Sequence, residues 1–299
     1  MKRLVIFGAM LALPVLGNAA STINATNKYA WGANIGWTNW LPSSADGVVI
    51  GEYVCSGYVW AANVGWINLG SGNPANHIQY SNTSGIDFGV NFSIDSAQPG
   101  YAVLRGFAYG ANIGWINFEA TGNPRISLFT GRLSGYAYSA NCGWINLDDM
   151  LGPGAHYVQT DQIAMGIDTD GDGIADAFEY QFFGNLTSAN GTSDADNDGI
   201  SDKDEYLDGT SPVISTDRLH ITAFGKNINN STQYDVTWTS TTARLYVIET
   251  KPDLFAMMWD PDPNWGTQFA PDSGTTSTRT VLPSGAKRFY RVRSIRPLQ

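Results

Sequence analysis

Two twelve-residue stretches hold the residues best spaced to do chemistry. From Asp168 the chain reads DTDGDGIADAFE, and from Asp194 it reads DADNDGISDKDE. Both follow D-x-D-x-D-G-I-x-D-x-x-E, in which oxygens at positions 1, 3, 5, 9 and 12 and the carbonyl of position 7 converge on one hard cation. The expected ligands are Asp168, Asp170, Asp172, Ile174 through its carbonyl, Asp176 and Glu179, then Asp194, Asp196, Asp198, Ile200, Asp202 and Glu205. Gly173 and Gly199 stand at position 6, where the loop bends sharply. Five carboxylates on one short loop repel each other and do not fold together without a divalent ion. The all-oxygen set, with a glutamate able to bind through both oxygens, favours Ca2+ over Mg2+ and predicts two structural ions. The bland alternative is an acidic disordered linker.

Other reactive groupings are sparse. Glu119 and Asp148 follow two repeats at equivalent positions, and paired carboxylates can hydrolyse glycosides. The matching positions after the other two repeats are Leu41 and Gly70, so the pair reads as ordinary solvated strand ends. His77, His156 and His220 lack metal-ligand spacing, and the chain has no G-x-S-x-G, H-E-x-x-H or phosphate-loop pattern. The expectation is a protein that is not an enzyme.

The net charge of −10 is local. Residues 161–208 contain 13 acidic side chains and one lysine, which leaves the rest of the chain at +2. Clustered carboxylates call for cations, while the near-neutral remainder argues against nucleic acid as a partner. Around the loops, only a short helix over 175–183 is expected, and the second loop leaves through EYLDGTSP. A calcium sensor needs helices on both sides that swing apart. With no incoming helix, the ions should act as rivets that stiffen a connector.

The run DGIADAFEYQFFGNLTSANGTSDADNDGISDKDEYLDGTSP resembles the bacterial thrombospondin type 3-like calcium repeats of secreted and surface proteins. Their D-x-D-x-D-G loop, F-F-G step and E-Y-x-x-G-T-x-P exit all occur here, over about 45 residues. The resemblance implies structural calcium between modules and nothing about catalysis.

What the connector joins is set by a fourfold repeat: YAWGANIGWTNW (29–40), YVWAANVGWINL (58–69), FAYGANIGWINF (107–118) and YAYSANCGWINL (136–147). Alternating aromatic and small residues mark a strand, A-N-x-G a turn, and the second alternating run a return strand, so each copy is a hairpin. The turn glycines Gly36, Gly65, Gly114 and Gly143 suit positive φ. The central asparagines, Asn34, Asn63, Asn112 and Asn141, are 29, 49 and 29 residues apart, which leaves about 20 extra residues in the middle gap. Segments 48–55, 88–94 and 125–129 read as further strands, giving small β units that must stack to bury an aromatic face. Trp37, Trp66, Trp115 and Trp144 are expected in the core, with Asn39, Asn68, Asn117 and Asn146 satisfying backbone groups there. Trp31, Trp60, Tyr109 and Tyr138 vary in type and are the candidate ligand-binding residues, partly exposed, on which a sugar or polymer could stack.

Beyond 212, alternation resumes at 218–224, 234–240, 244–250 and 287–295, which suits a small β-sandwich. Lys287, Arg288, Arg291, Arg293 and Arg296 read as one solvated strand face, with an anionic-surface contact or a sorting determinant as the alternatives. At the other end, a basic start, an apolar run over 4–16 and small residues to Ala20 read as a secretory signal peptide. Nothing downstream approaches the length of a membrane span, so the chain is not expected to be an integral membrane protein. Export makes a disulfide between Cys55 and Cys142 reasonable, worth about 4 kcal/mol by chain entropy; two free thiols are the alternative.

The sequence thus predicts a mainly β chain in four parts: a signal peptide (1–20), an aromatic β-repeat domain (21–160), a calcium-binding connector (161–212) and a β-sandwich-like module (213–299). Secreted, at the cell surface or in the periplasm, it would serve structure or adhesion, with polysaccharide or other surface proteins as partners and self-association open. A carbohydrate-binding protein is the alternative, and a secreted glycoside hydrolase stands third.

Overall fold

The computed structural model describes residues 20–149, 156–283 and 288–299. The expected signal peptide lies outside them, as does Lys287. The chain is mainly β, with two short helices.

Each repeat forms the hairpin its pattern calls for. The four are Ile23–Gly32 with Gly36–Asn39, Cys55–Ala61 with Gly65–Ser71, Tyr101–Gly110 with Gly114–Phe118, and Tyr136–Ser139 with Gly143–Asn146. The return strand of every hairpin pairs antiparallel with the first strand of the next, and the fourth pairs back onto the first. Eight strands therefore close into a barrel. The expected stacking of separate units is replaced by edge-to-edge closure, which leaves no open strand edge among these eight.

Closure also turns the expected burial inside out. Trp37, Trp66, Trp115 and Trp144 lie 42–46% exposed on the outer wall, not in the core. The interior is filled by the alternating partners: Ala30, Thr38, Val59, Ile67, Ala108, Ile116, Ala137 and Ile145. An eight-stranded barrel has room inside for side chains of this size but not for four indoles. The small residue ending each first strand faces the apolar residue in its own turn. A Cβ on Gly32 would sit 2.7 Å from Ile35, and one on Gly110 would sit 2.8 Å from Ile113. In the other two copies, Ala61 and Ser139 occupy the place of glycine and the smaller Val64 and Cys142 replace isoleucine.

The turns are joined as well. Gly36, Gly65, Gly114 and Gly143 take φ of 71–82° as expected. The asparagine before each does not serve its own turn; its Nδ2 reaches the neighbouring hairpin. Asn63 donates to Ile35 O at 3.0 Å, Asn112 to Val64 O at 3.1 Å, Asn141 to Ile113 O at 2.9 Å and Asn34 to Cys142 O at 3.2 Å. The four bonds run once around the barrel end, each worth about 1 kcal/mol.

Cys55 and Cys142 are both buried and both free, which corrects the disulfide expectation. Cys142 lies in the ring of turns, whereas Cys55 starts the strand that runs to Ala61 at that ring. Six strand steps put the two about 20 Å apart, far beyond disulfide reach. Burial pushes the Cys55 thiol up to about 12.

After the barrel come two helices, Asp176–Phe182, as expected, and Asp202–Asp208, where only an exit from the second loop is expected. Ser201 caps it by accepting from Asp204 N, and Gly209 ends it at φ 74°. Ile174, Ala175, Phe178, Ala189 and Tyr206 form a small core that packs on Tyr53 of the barrel. Beyond it, two three-stranded sheets face each other around Val236, Trp238, Tyr246, Ile248 and Val281, the anticipated sandwich. Its arginines do not form a free basic face. Arg291 and Arg293 pair with the nearly buried Glu249, and Arg296 pairs with Glu52 of the barrel.

Candidate functional site: paired carboxylate loops and an aromatic girdle

Backbone N–H groups arrange each acidic loop. In the first, Asp168 accepts from Gly171 N at 2.8 Å and Gly173 N at 3.1 Å, and Asp172 accepts from Ile174 N at 2.8 Å. In the second, Asp194 accepts from Asp198 N and Gly199 N, and Asp198 from Ile200 N. Gly173 and Gly199 take φ of 88° and 92°, the sharp bend expected at position 6. The carboxylates of Asp168, Asp170 and Asp172 each bring one oxygen within 4.8 Å of the others, and Asp194, Asp196 and Asp198 do the same. Each triad could hold a metal ion.

The twelfth residue tests that fit. Glu179 and Glu205 are fully buried, and none of their carboxylate oxygens has a hydrogen-bond partner; Asp172 Oδ2 and Asp196 Oδ2 are likewise buried and unpartnered. Burial first, and the neighbouring aspartates after it, push Glu179 up to about 7 and Glu205 up to about 8. Buried carboxylates without donors are costly, and a hard cation supplies the missing charge. The donor chemistry therefore fits a bound cation.

Position 9 is used differently from the expectation. Asp176 accepts from Thr169 N at 2.7 Å and Thr169 Oγ1 at 2.6 Å, and Asp202 accepts from Ala195 N and Ser193 Oγ. These two carboxylates tie the start of each helix to the second residue of its loop. Ile174 and Ile200 hold position 7, and Ile174 also buries its side chain in the connector core.

The loops are coupled to each other and to both flanking bodies. Lys203 Nζ, from the second helix, donates to Asp172 O of the first loop at 2.7 Å. Tyr206 OH donates to Glu52 at 2.7 Å, Arg296 bonds the same carboxylate, and Arg244 reaches Tyr206 O and Leu207 O. A crevice of about 470 Å³ lies along this junction and includes Glu52, Tyr206 and Arg244 in its lining. Those polar groups are already engaged with one another.

The second feature is the outer wall of the barrel. Each hairpin sets three rings in contact: Tyr29, Trp31 and Trp37; Tyr58, Trp60 and Trp66; Phe107, Tyr109 and Trp115; Tyr136, Tyr138 and Trp144. Register then aligns each triad with the next. Tyr58 stands beside Asn68, Asn68 beside Tyr109, and Tyr109 beside Trp115; the same ring, amide, ring, ring row recurs around the barrel. The predicted quartet Trp31, Trp60, Tyr109 and Tyr138 is 36–40% exposed, each within a row. Sequence reasoning missed that the G-W tryptophans share this face, although strict period-two alternation from the first aromatic pair pointed there.

The asparagines of these rows lie in the return strands, with Asn39 and Asn146 at the strand ends. Asn39, Asn68 and Asn146 accept from the N–H two residues on, and Asn117 donates to Glu119. Asp148 is ion-paired to Arg132. Neither Glu119 nor Asp148 lines the interdomain crevice or the recess beside Trp115. The three histidines stay apart: His77 stacks on Tyr180, His156 meets Trp37 edge-on, and His220 lies in the sandwich.

No helix among the described residues is long and apolar enough to cross a membrane. No family model, curated protein or solved structure matches the chain.

Proposed function

We propose that the chain is an exported, calcium-stiffened binding scaffold of the cell surface or extracellular matrix, one that displays an aromatic barrel wall at a fixed distance from a β-sandwich. The observation that carries this reading is the pair of buried glutamates, Glu179 and Glu205, with no protein donors for their oxygens beside the aspartate triads. Calcium fits better than magnesium because the donors are many, all are oxygen, and each loop ends in a glutamate able to bind through both oxygens. The ions neutralise the loops, and the Lys203 and Tyr206–Glu52–Arg296 contacts then hold barrel, connector and sandwich together.

Binding carbohydrate is the second reading, favoured by the exposure of Trp31, Trp60, Tyr109 and Tyr138 among amide groups. Hydrolysis is third, since Glu119 and Asp148 are engaged at strand ends.

Small-angle scattering of the mature chain tests the scaffold. The expected result is one compact particle in calcium and a larger maximum dimension after EDTA. Identical curves in both conditions would remove the ions from the account.

A further inference from the structure

The four aromatic triads are equivalent in sequence and register, but their surroundings differ. The extra residues of the middle gap return along the outer wall and stand over the third triad. Phe88 meets Trp115 edge-on at 5.0 Å and Tyr109 at 6.3 Å. Asn82, Thr83, Ser84 and Gly85, together with Phe88, Phe107 and Trp115, flank an open recess of about 320 Å³, within the range of small-molecule sites. Among the triads, Trp37 is instead met by His156.

This wall is built in advance of any ligand. Asn82 takes φ of 55° and is held on three sides: its N–H donates to Asp87 O, its Oδ1 accepts from Gly89 N, and its Nδ2 donates to Tyr80 O. Asp87 anchors the base by accepting from Ser81 N and Ala75 N at 3.0 and 3.1 Å. A loop ordered this way loses little freedom on binding.

The lining selects a class of ligand. One wall is rings, the other is amide, hydroxyl and glycine backbone, and no charged side chain is present. A nucleotide would bring phosphates with no Lys or Arg to meet them. A proline-rich segment would bring no hydroxyl groups to the exposed Thr83 and Ser84 side chains. A pyranose offers an apolar C–H face and an uncharged edge of hydroxyls, which matches both walls.

We propose that this recess binds one neutral pyranose unit of an extracellular polysaccharide, its C–H face on Trp115 and its hydroxyl edge toward residues 82–85. The proposal rests on reading the barrel wall as a binding face, and it goes further in naming one triad of four.

Tryptophan fluorescence of the mature chain in calcium, titrated with neutral hexamers of glucose, mannose and N-acetylglucosamine, tests it. Saturable binding of at least one hexamer is expected. Trp115→Ala, at an exposed position, should weaken it roughly tenfold or more, and the double variant Thr83→Ala/Ser84→Ala several-fold. Trp66→Ala, at the equivalent place of the second triad, whose ring contacts are Tyr58 and Trp60, should leave it within about twofold. No response to any hexamer at millimolar concentration would overturn the proposal, as would equal losses from Trp66→Ala and Trp115→Ala, or capture of a polyproline peptide in place of sugars. If the sugars fail while EDTA still expands the particle, the recess assignment falls and the calcium scaffold stands.

Discussion

Replacing Trp66 and its neighbour Ile67, each by alanine, puts the inverted burial of the repeat to a direct test. Trp66 is the larger side chain, but it is 46% exposed and its ring contacts are Trp60 at 4.9 Å and Tyr58 at 6.1 Å. Losing two partly solvated edge contacts should cost about 1 kcal/mol. Ile67 is 3% exposed and packed in the barrel interior, so truncating it removes buried methylenes and leaves a cavity, at about 3 to 4 kcal/mol. For a barrel of this size these costs correspond to melting shifts of about 3 °C and about 10 °C. Scanning calorimetry of the full chain in saturating calcium reads both. Equal shifts, or a larger one for Trp66→Ala, would refute the assignment of tryptophans to the outside and aliphatics to the inside.

The ring of turn asparagines predicts that Asn63→Ala, which removes the bond to Ile35 O, lowers barrel stability by about 1 kcal/mol, and that adding Asn141→Ala on another turn doubles the loss; denaturant melts check both. Glu52→Gln should loosen the junction, because the amide keeps one acceptor oxygen but removes the second oxygen that Arg296 and Tyr206 divide between them and the charge that faces Arg296. Faster protease nicking near the connector is the readout, and wild-type resistance would count against the clasp. Burial alone would raise Glu249, but the hydrogen bonds and charges of Arg293 and Arg291 outweigh it and hold it below the usual glutamate range. A carboxylate with a lowered folded-state pKa contributes stability above about pH 4.3, the ordinary glutamate value, and that stability is lost as pH falls through the folded-state pKa. The sandwich should therefore melt lower at pH 3 than at pH 6, and Glu249→Gln should flatten that slope.

The acidic loops were legible because their chemistry is written consecutively: twelve residues contain the triad, the bend and the closing glutamate. The hairpins were legible for the same reason, since A-N-x-G turns and period-two alternation are local. What alternation alone did not reveal is which face is inside. The repeated tryptophan invited a core assignment, but the inner face of the closed barrel is already filled by Thr38, Val59, Ile67, Ala108, Ile116, Ala137 and Ile145 together with Trp40, Leu69, Phe118 and Leu147, which leaves no space for four more indoles. The number of strands that close is a long-range property, set where residues 145–146 meet residues 31–32. Asn34, Asn63, Asn112 and Asn141 show the same limit. Their residue type announced a turn, while their bonds run to carbonyls 28 to 108 residues away. The covariation of Gly32 with Ile35, Ala61 with Val64 and Ser139 with Cys142 was visible in the sequence and becomes interpretable once the turn residue is seen to pack back onto the strand end.

Everything proposed for the connector depends on cation uptake by the two loops, and calorimetric titration of calcium into the EDTA-stripped mature chain measures it most directly. The account predicts two ions per chain, falling to one in Glu205→Gln as its buried carboxylate is lost. No heat of binding, or a stoichiometry that Glu205→Gln leaves at two with unchanged affinity, would contradict it.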